Sequence, residues 1–261
     1  MKLDFIDNGK EFDFGKISED YLKYRDIYPK IMYDKLIDFG IGKKEQKILD
    51  LGSGTAILPV NMCYTSADFT ATDISREQIE KAKQFPTDKN IKFKVCSAEN
   101  TGFSDNSFDV VTAVQCFQYF DADKASKEIL RVLKPKGLFC KIFMDWLPYE
   151  DKIIKEMENL VLKYNPDWQG YGYKKFRYHY PSWADNGFKI EIINSFDVIL
   201  EFSKEEWIGR IKSCRGVGAS LSDIKVAEFE EEYRNLLKKY EEILYLKHQI
   251  HIEIYRSEKD N

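Results

Sequence analysis

The sequence predicts an α/β protein with a mostly parallel sheet, and three observations predict it. Short apolar runs alternate with helical patterns along roughly the first 145 of its 261 residues, and parallel strands need crossover connections of that kind. The first run, KILDL (47–51), is apolar on both faces, as a strand buried on both sides requires. Gly52 and Gly54 follow it at once, and glycine lets the chain turn sharply there with its amides exposed.

The elements follow in order. Before any strand, SEDYLKYRDIYPKIMYDKLIDFG carries Tyr21, Tyr24 and Tyr28 three and four residues apart, which places them on one helix face before Pro29 interrupts or restarts it; Gly40 is the stop. KILDL, DFTATD, IKFKVC, FDVVTAV and GLFCKIFM read as strands, with SREQIEKAKQF and DKASKEILRVLK as helices between them. After Asp145 the rhythm changes: EDKIIKEMENLVLKY is helical, NPDWQGYGYKKFRYHYPSW is aromatic and turn-rich, and Phe188–Phe202 is strand-like. SKEEWIGRIK and a long charged stretch near 222–243 read as helices, and HQIHIEIYR closes the chain with the period-two alternation of a strand with unlike faces. The expected organisation is a single domain: N-terminal lid helices over 1–45, a cofactor-binding core over 46–145, cap and substrate-side elements over 146–220, and a final helix and closing strand over 221–261.

Composition narrows the function. Lys and Arg number 40 against 44 Asp and Glu, the net charge is −4, and the charges are interspersed. Nucleic-acid binders gather a basic footprint, so no nucleic-acid partner is expected. The five cysteines show no C-x-x-C pair, which suits packed thiols in a reducing compartment better than disulfides or structural zinc, and no metal site is expected. No run of 18 uncharged apolar residues and no signal-peptide core occur, so the reading is a cytoplasmic protein without a membrane partner, monomer or homodimer.

Three readings of KILDLGSGTAILPV stand side by side. One is a strand-to-helix turn with no ligand. A second is a dinucleotide site, as in a nicotinamide-dependent oxidoreductase; it needs G-x-G-x-x-G, and counted from Gly52 the sixth position is Ile57. The third rests on a likeness. Asp50-x-Gly52-x-Gly54 resembles the acidic turn of the class I S-adenosylmethionine-dependent methyltransferases, where a third glycine often stands at the place of Ala56 and alanine adds one methyl group.

Further segments carry the same resemblance. Asp73 ends FTATD about 20 residues after the turn, where a carboxylate can take both ribose hydroxyls, a feature a dinucleotide enzyme shares. FKVCSAENTGFSDNSFDVVTAVQCFQYF is similar to the family's third strand, adenine loop and fourth strand, with Ser97 in place of the usual aspartate before Ala98 and Glu99. LRVLKPKGLFCKIF resembles its helix, turn and fifth strand, with Pro135 and Gly137 at the bend. The likeness is to small-molecule, type 11-like bacterial members. It implies a Rossmann-like, seven-stranded sheet in the order 3-2-1-4-5-7-6, last strand antiparallel, with helices on both faces, an N-terminal helical lid and a cap after the fifth strand. It also implies S-adenosylmethionine as cofactor, held by Asp50, Gly52, Ser53, Gly54, Asp73, Ile74, Ala98, Glu99 and Gln115.

DYLKYRDIYP resembles a Tyr-x-x-x-Arg-x-x-Tyr-Pro lid found in that family, which brings in Tyr24 and Arg25 as cofactor contacts and Tyr28 on the substrate side; packing tyrosines and a solvated arginine are the other reading. Gln115 and Cys116 follow the fourth strand at its carboxyl end, where ligands of open α/β sheets collect, and Gln118 or Tyr119 faces the substrate. Cys116 has no paired histidine nearby in sequence and reads as a wall residue. In FSKEEWIGRIKSCRGVGASL, Trp207, Arg210 and Arg215 are acceptor-anchoring candidates, with Trp183 a further apolar wall; alternatively both arginines are solvated beside a helix end closed by Gly216 and Gly218. His179, His248 and His251 lie on separate segments, and no catalytic residue is assigned. The expected activity is methyl transfer to a small molecule; a non-catalytic sensor or scaffold that binds the same cofactor is the competing class.

Overall fold

The computed structural model describes residues 1–85 and 91–259. Seven strands, β1 (Lys47–Leu51), β2 (Asp68–Asp73), β3 (Lys92–Val95), β4 (Phe108–Val114), β5 (Leu133–Trp146), β6 (Phe188–Ser203) and β7 (Ile243–Ser257), form one sheet in the order β3-β2-β1-β4-β5-β7-β6. Pairing is parallel from β3 through β5. β7 runs antiparallel: the Leu147 amide donates to Lys247, while nearer the start of β5 Lys141 meets Glu253. The expected sheet order and the reversed last strand are both present.

Among the described residues two α-helices precede the sheet, α1 (Ser18–Tyr24) and α2 (Lys30–Asp38), and six lie between strands: α3 (Ile57–Met62), α4 (Arg76–Ala82), α5 (Ala122–Val132), α6 (Lys152–Tyr164), α7 (Lys204–Lys212) and α8 (Asp223–Leu237). Their starts are written in the sequence. Asp121, Asp151, Ser75 and Ser222 each accept an amide of the first turn, and Ser203 with Glu206 forms a reciprocal capping box on α7. The N-terminal helix expected to carry three tyrosines is split. Pro29 holds the N-cap of α2 and α1 stops at Tyr24, so Tyr28 lies between two helices and off the face of Tyr21 and Tyr24. α8 ends earlier than its charge pattern suggested, and β7 begins five residues before HQIHIEIYR.

The chain divides into two compact units. One comprises Tyr28–Met144, Phe176–Phe196 and Ile250–Asn261 and contains β1 to β4. There Ile48, Leu49 and Leu51 are at most 1% exposed, which is the two-sided burial their composition calls for. Its core packs α5 against Val111, Phe139, Phe188 and Tyr255, with Phe117 and Trp183 among the filling rings. The other unit comprises Met1–Ile27, Asp145–Lys175 and Asp197–Gln249, and its core gathers Met157 and Val161 of α6, Trp207 and Ile211 of α7, Phe229 and Tyr233 of α8, and Leu244 and Leu246.

Candidate functional site

β1 pairs with β2 on one side and β4 on the other, so strand order reverses beside it, and in open α/β sheets the crevice at that reversal is where ligands bind. Gly52 and Gly54 adopt φ of +58° and +55° there. A side chain at Gly52 could not fit: its Cβ would lie 2.9 Å from Cβ and Sγ of Cys116, just after β4. The turn is tied to β2 by its own amides. Ser53 N–H donates to Thr72 O at 2.8 Å, and Gly54 N–H to Asp73 Oδ2 at 2.9 Å. Asp73 Oδ1 accepts the Ser75 amide at 2.8 Å.

Two carboxylates meet at this turn. Asp50 is 2% exposed, and its Oδ1 accepts the Thr112 hydroxyl at 2.6 Å. Burial raises the Asp50 pKa to about 7, the Thr112 bond opposes the rise and Asp73 adds to it. Burial also raises Asp73, against the amides of Ser75, Gly54 and Ile74. Thr112 carried no signal of its own in the sequence; it matters because register sets it directly opposite Asp50, and one strand cannot reveal its register with another. Ser53 Oγ and Thr55 Oγ1 are buried without a partner among the described residues, which is unusual for polar atoms and marks the turn as incomplete by itself.

The other residues of this unit fall as follows. Ile74 is 58% exposed at the carboxyl end of β2, an apolar surface beside a carboxylate. Ala98 is buried, and Glu99 Oε1 accepts the Asp121 amide at 3.0 Å. Gln115 has a left-handed backbone (φ +58°); its amide donates to Ile142 O, its side chain to Met144 O, and its carbonyl accepts Gln118 Nε2 at 3.0 Å. Non-glycine residues in that conformation are uncommon and gather at functional sites. Gln118 is exposed, while Tyr119 and Tyr28 are half-buried. Cys116 is buried with Sγ on Leu51 O, and burial, then Asp50 and Asp73, pushes its thiol pKa well up, which suits a wall and not a nucleophile. His251 is stacked between Phe176 and Phe143, with ring centroids at 4.2 and 5.2 Å, and burial lowers its pKa to about 4.

Tyr24, Arg25, Trp207, Arg210 and Arg215 belong to the other unit and are occupied within it. Tyr24 packs on Gly209, where an added Cβ would come within 2.5 Å of the ring. The Arg25 guanidinium lies over Tyr21 at 4.7 Å and reaches its hydroxyl at 3.4 Å and Cys214 Sγ at 3.9 Å. Trp207 is fully buried, edge-on to Trp146, so it is a core residue and no open apolar wall. Neither arginine beside the glycine turn is solvated. Arg210 is 4% exposed, over Trp146 with Nη1 on Cys214 Sγ at 2.9 Å, and Arg215 forms a 3.0 Å ion pair with the buried Asp7. Sequence reasoning missed Asp145 in this unit, whose pKa burial raises to about 7 while Arg210 opposes the rise. His248 is buried against Trp207 with Nδ1 at 3.0 Å from Leu246 O, and burial lowers its pKa to about 4.

No described helix is long and apolar enough to cross a membrane, and no cluster of three or more metal-ligating side chains occurs among the described residues. Residues 49–141 match the model of a methyltransferase domain family. An uncharacterized methyltransferase of Schizosaccharomyces pombe is 30% identical over 206 residues, covering 72% of this chain and 79% of that protein. The ubiquinone/menaquinone biosynthesis C-methyltransferase UbiE of Rickettsia felis is 40% identical over 103 residues, but the match spans 35% of this chain and 42% of UbiE. Among solved structures, YcgJ of Bacillus subtilis superposes with a TM-score of 0.55 at 17% identity, over 89% of this chain and all of YcgJ. Extended likeness in sequence together with the strand order shows the family: the chain belongs to the class I S-adenosylmethionine-dependent methyltransferases.

Proposed function

We propose that the chain transfers a methyl group to a small-molecule acceptor and that the residues around the β1 turn hold its cofactor. The observation that carries this reading is the turn: two left-handed glycines, Gly52 pressed against Cys116 just after β4 and Gly54 with its amide gripped by a β2 carboxylate, and the buried hydroxyls of Ser53 and Thr55 with no described partner. These polar atoms fit a ligand rich in hydroxyls and amines. Asp73 has lone pairs left after its backbone bonds and takes the ribose hydroxyls. Ile74 lies against the flat base, with Ala98 and Glu99 at its edge. Asp50 Oδ2, Ser53 and the backbone of Gln115 serve the amino-acid end.

When bound, S-adenosylmethionine supplies an electrophilic methyl group on a sulfonium. The protein's part is to hold the acceptor in line and keep water out. Gln118 and Tyr119, just past β4, are the acceptor-facing residues of this unit. An interspersed, slightly acidic charge distribution argues for a metabolite over RNA, and the UbiE relative is itself named for quinone biosynthesis.

Calorimetry with S-adenosylmethionine, S-adenosylhomocysteine and NAD tests the cofactor assignment. Saturable binding of both methionine nucleosides is expected, and binding of NAD alone would overturn it. Incubation with tritiated cofactor and a metabolite extract tests the acceptor class, where label in bulk RNA and in nothing of metabolite size would exclude a small acceptor.

A further inference from the structure

A cavity lies wholly within the unit that contains α6 and α7. It has a volume of about 290 Å³ and is lined by Leu147, Tyr149, Glu150, Tyr173, Lys174 and Lys175, just below the about 300–1,000 Å³ of ordinary ligand pockets. Its walls are fixed by bonds that do not involve a ligand. Gly172 has φ +71° and donates its amide to both oxygens of the buried Glu158, at 3.1 and 3.0 Å, and its lack of a side chain lets the Tyr149 hydroxyl lie close. Tyr173 donates its hydroxyl to Gln249 at 3.2 Å, and Lys175 is clamped between Glu150 at 2.8 Å and Asp197 at 2.5 Å.

Charge at the rim is unbalanced. Three ammoniums, Lys155, Lys174 and Lys175, stand against two carboxylates there; Lys175 is paired with both Glu150 and Asp197, whereas Lys174 is exposed and makes no ion pair among the described residues. Lys155 stands 5.4 Å from the Tyr149 ring centroid. Tyr149 itself is 63% exposed, although large aromatic side chains are normally spent on burial. We infer that this groove binds a small, flat aromatic molecule carrying one negative charge, its ring between Tyr149 and Tyr173 over Leu147 and its anionic group at Lys174. The assignment does not rest on the cofactor site, since every lining residue lies in the other unit.

The test is ligand-observed saturation-transfer NMR on the full chain with 2-naphthoate, benzoate and the uncharged isostere benzamide. Saturable binding is expected in the order naphthoate, benzoate, benzamide, weakening with added salt because an exposed ammonium is screened. Tyr149→Ala should weaken naphthoate about tenfold through loss of apolar contact, and Lys174→Gln should weaken it a few-fold and remove the preference over benzamide. Both side chains are exposed, so the variants should keep the wild-type circular dichroism. Asp73→Ala should leave naphthoate binding unchanged. Absence of saturable binding, affinity indifferent to Tyr149→Ala, or loss of binding in Asp73→Ala would each overturn the site; equal binding of benzoate and benzamide would overturn its anionic character.

Discussion

Beneath the glycine turn, a carboxyl group at Asp50 is sealed from water, and its pKa of about 7 makes a sign-specific prediction. An unfolded aspartate titrates near about 3.9. Between those values the native chain keeps a proton that the unfolded chain has released, so this group's contribution to stability falls as pH rises through the window and levels off above about 7, by on the order of 4 kcal/mol in all. Asp50→Asn keeps an oxygen for the Thr112 hydroxyl and carries no charge. Urea titrations without cofactor should therefore show the variant gaining several kcal/mol on the wild type between about pH 5 and about pH 8; a constant difference would mean that Asp50 titrates normally. Ala56 makes a second residue-scale case. In the sequence its departure from glycine looks like one added methyl, but the backbone there is left-handed, with φ +60°, a conformation that costs an L-residue about 1–2 kcal/mol. Glycine's extra unfolded-state freedom returns about 0.5–1 kcal/mol of that, so Ala56→Gly should stabilise the chain by at most about 1.5 kcal/mol in the same titration, and a destabilised variant would mean that the buried methyl group outweighs the strain. The glycines were legible as a turn; the handedness required two residues later was not.

At the scale of elements, the segment before α1 is held to its own unit by specific polar bonds. Lys10 donates to Asn165 at 2.6 Å, Lys16 to Leu221 O at 2.9 Å, and Asp7 pairs with Arg215 while accepting the Gln169 amide at 2.8 Å. Asp7 is 1% exposed, so removing Arg215 would leave a buried carboxylate without its cation and should cost about 3 kcal/mol or more. Arg215→Ala should show that loss in chemical denaturation together with faster chymotryptic cleavage near Phe12 and Phe14; a loss under about 1 kcal/mol, the scale of a surface pair, would return Arg215 to the role of an accessible anchor. Element type was readable because periodicity is local: KILDL, DFTATD and FDVVTAV are strands residue for residue. The roles of Arg210, Arg215 and Trp207 were not, because charge and size along α7 and the turn after it do not reveal which faces the rest of the chain will cover. Asp7 and Arg215 stand more than 200 positions apart, and no spacing rule reaches that far.

For the whole molecule, the stretch that matches the family model, residues 49–141, lies inside one unit and includes every residue of the β1 turn. Its legibility has a physical basis: a cofactor held as proposed, through backbone amides and two short carboxylates, would demand glycine and acid at fixed spacing, whereas an acceptor can be enclosed by many combinations of side chains. Ligand linkage turns this into a measurement. A molecule that binds only the folded state stabilises it by about 2.7 kcal/mol at a hundred times its dissociation constant, so S-adenosylhomocysteine at that excess should raise the thermal midpoint of the wild type. Gly52→Ala should lose the increment relative to its own ligand-free midpoint, because the new Cβ meets Cys116 at 2.9 Å and strains a positive φ. Asp73→Ala should lose most of it through the missing hydroxyl acceptor. Amide exchange locates the effect: slowing is expected at residues 51–56, 73–75 and 115–120, and amides of α6 and α8 should be unaffected beyond the global gain in stability. Slowing centred on α6 or α8, with the β1 turn unchanged, would move the cofactor away from the glycine turn whatever the midpoint does.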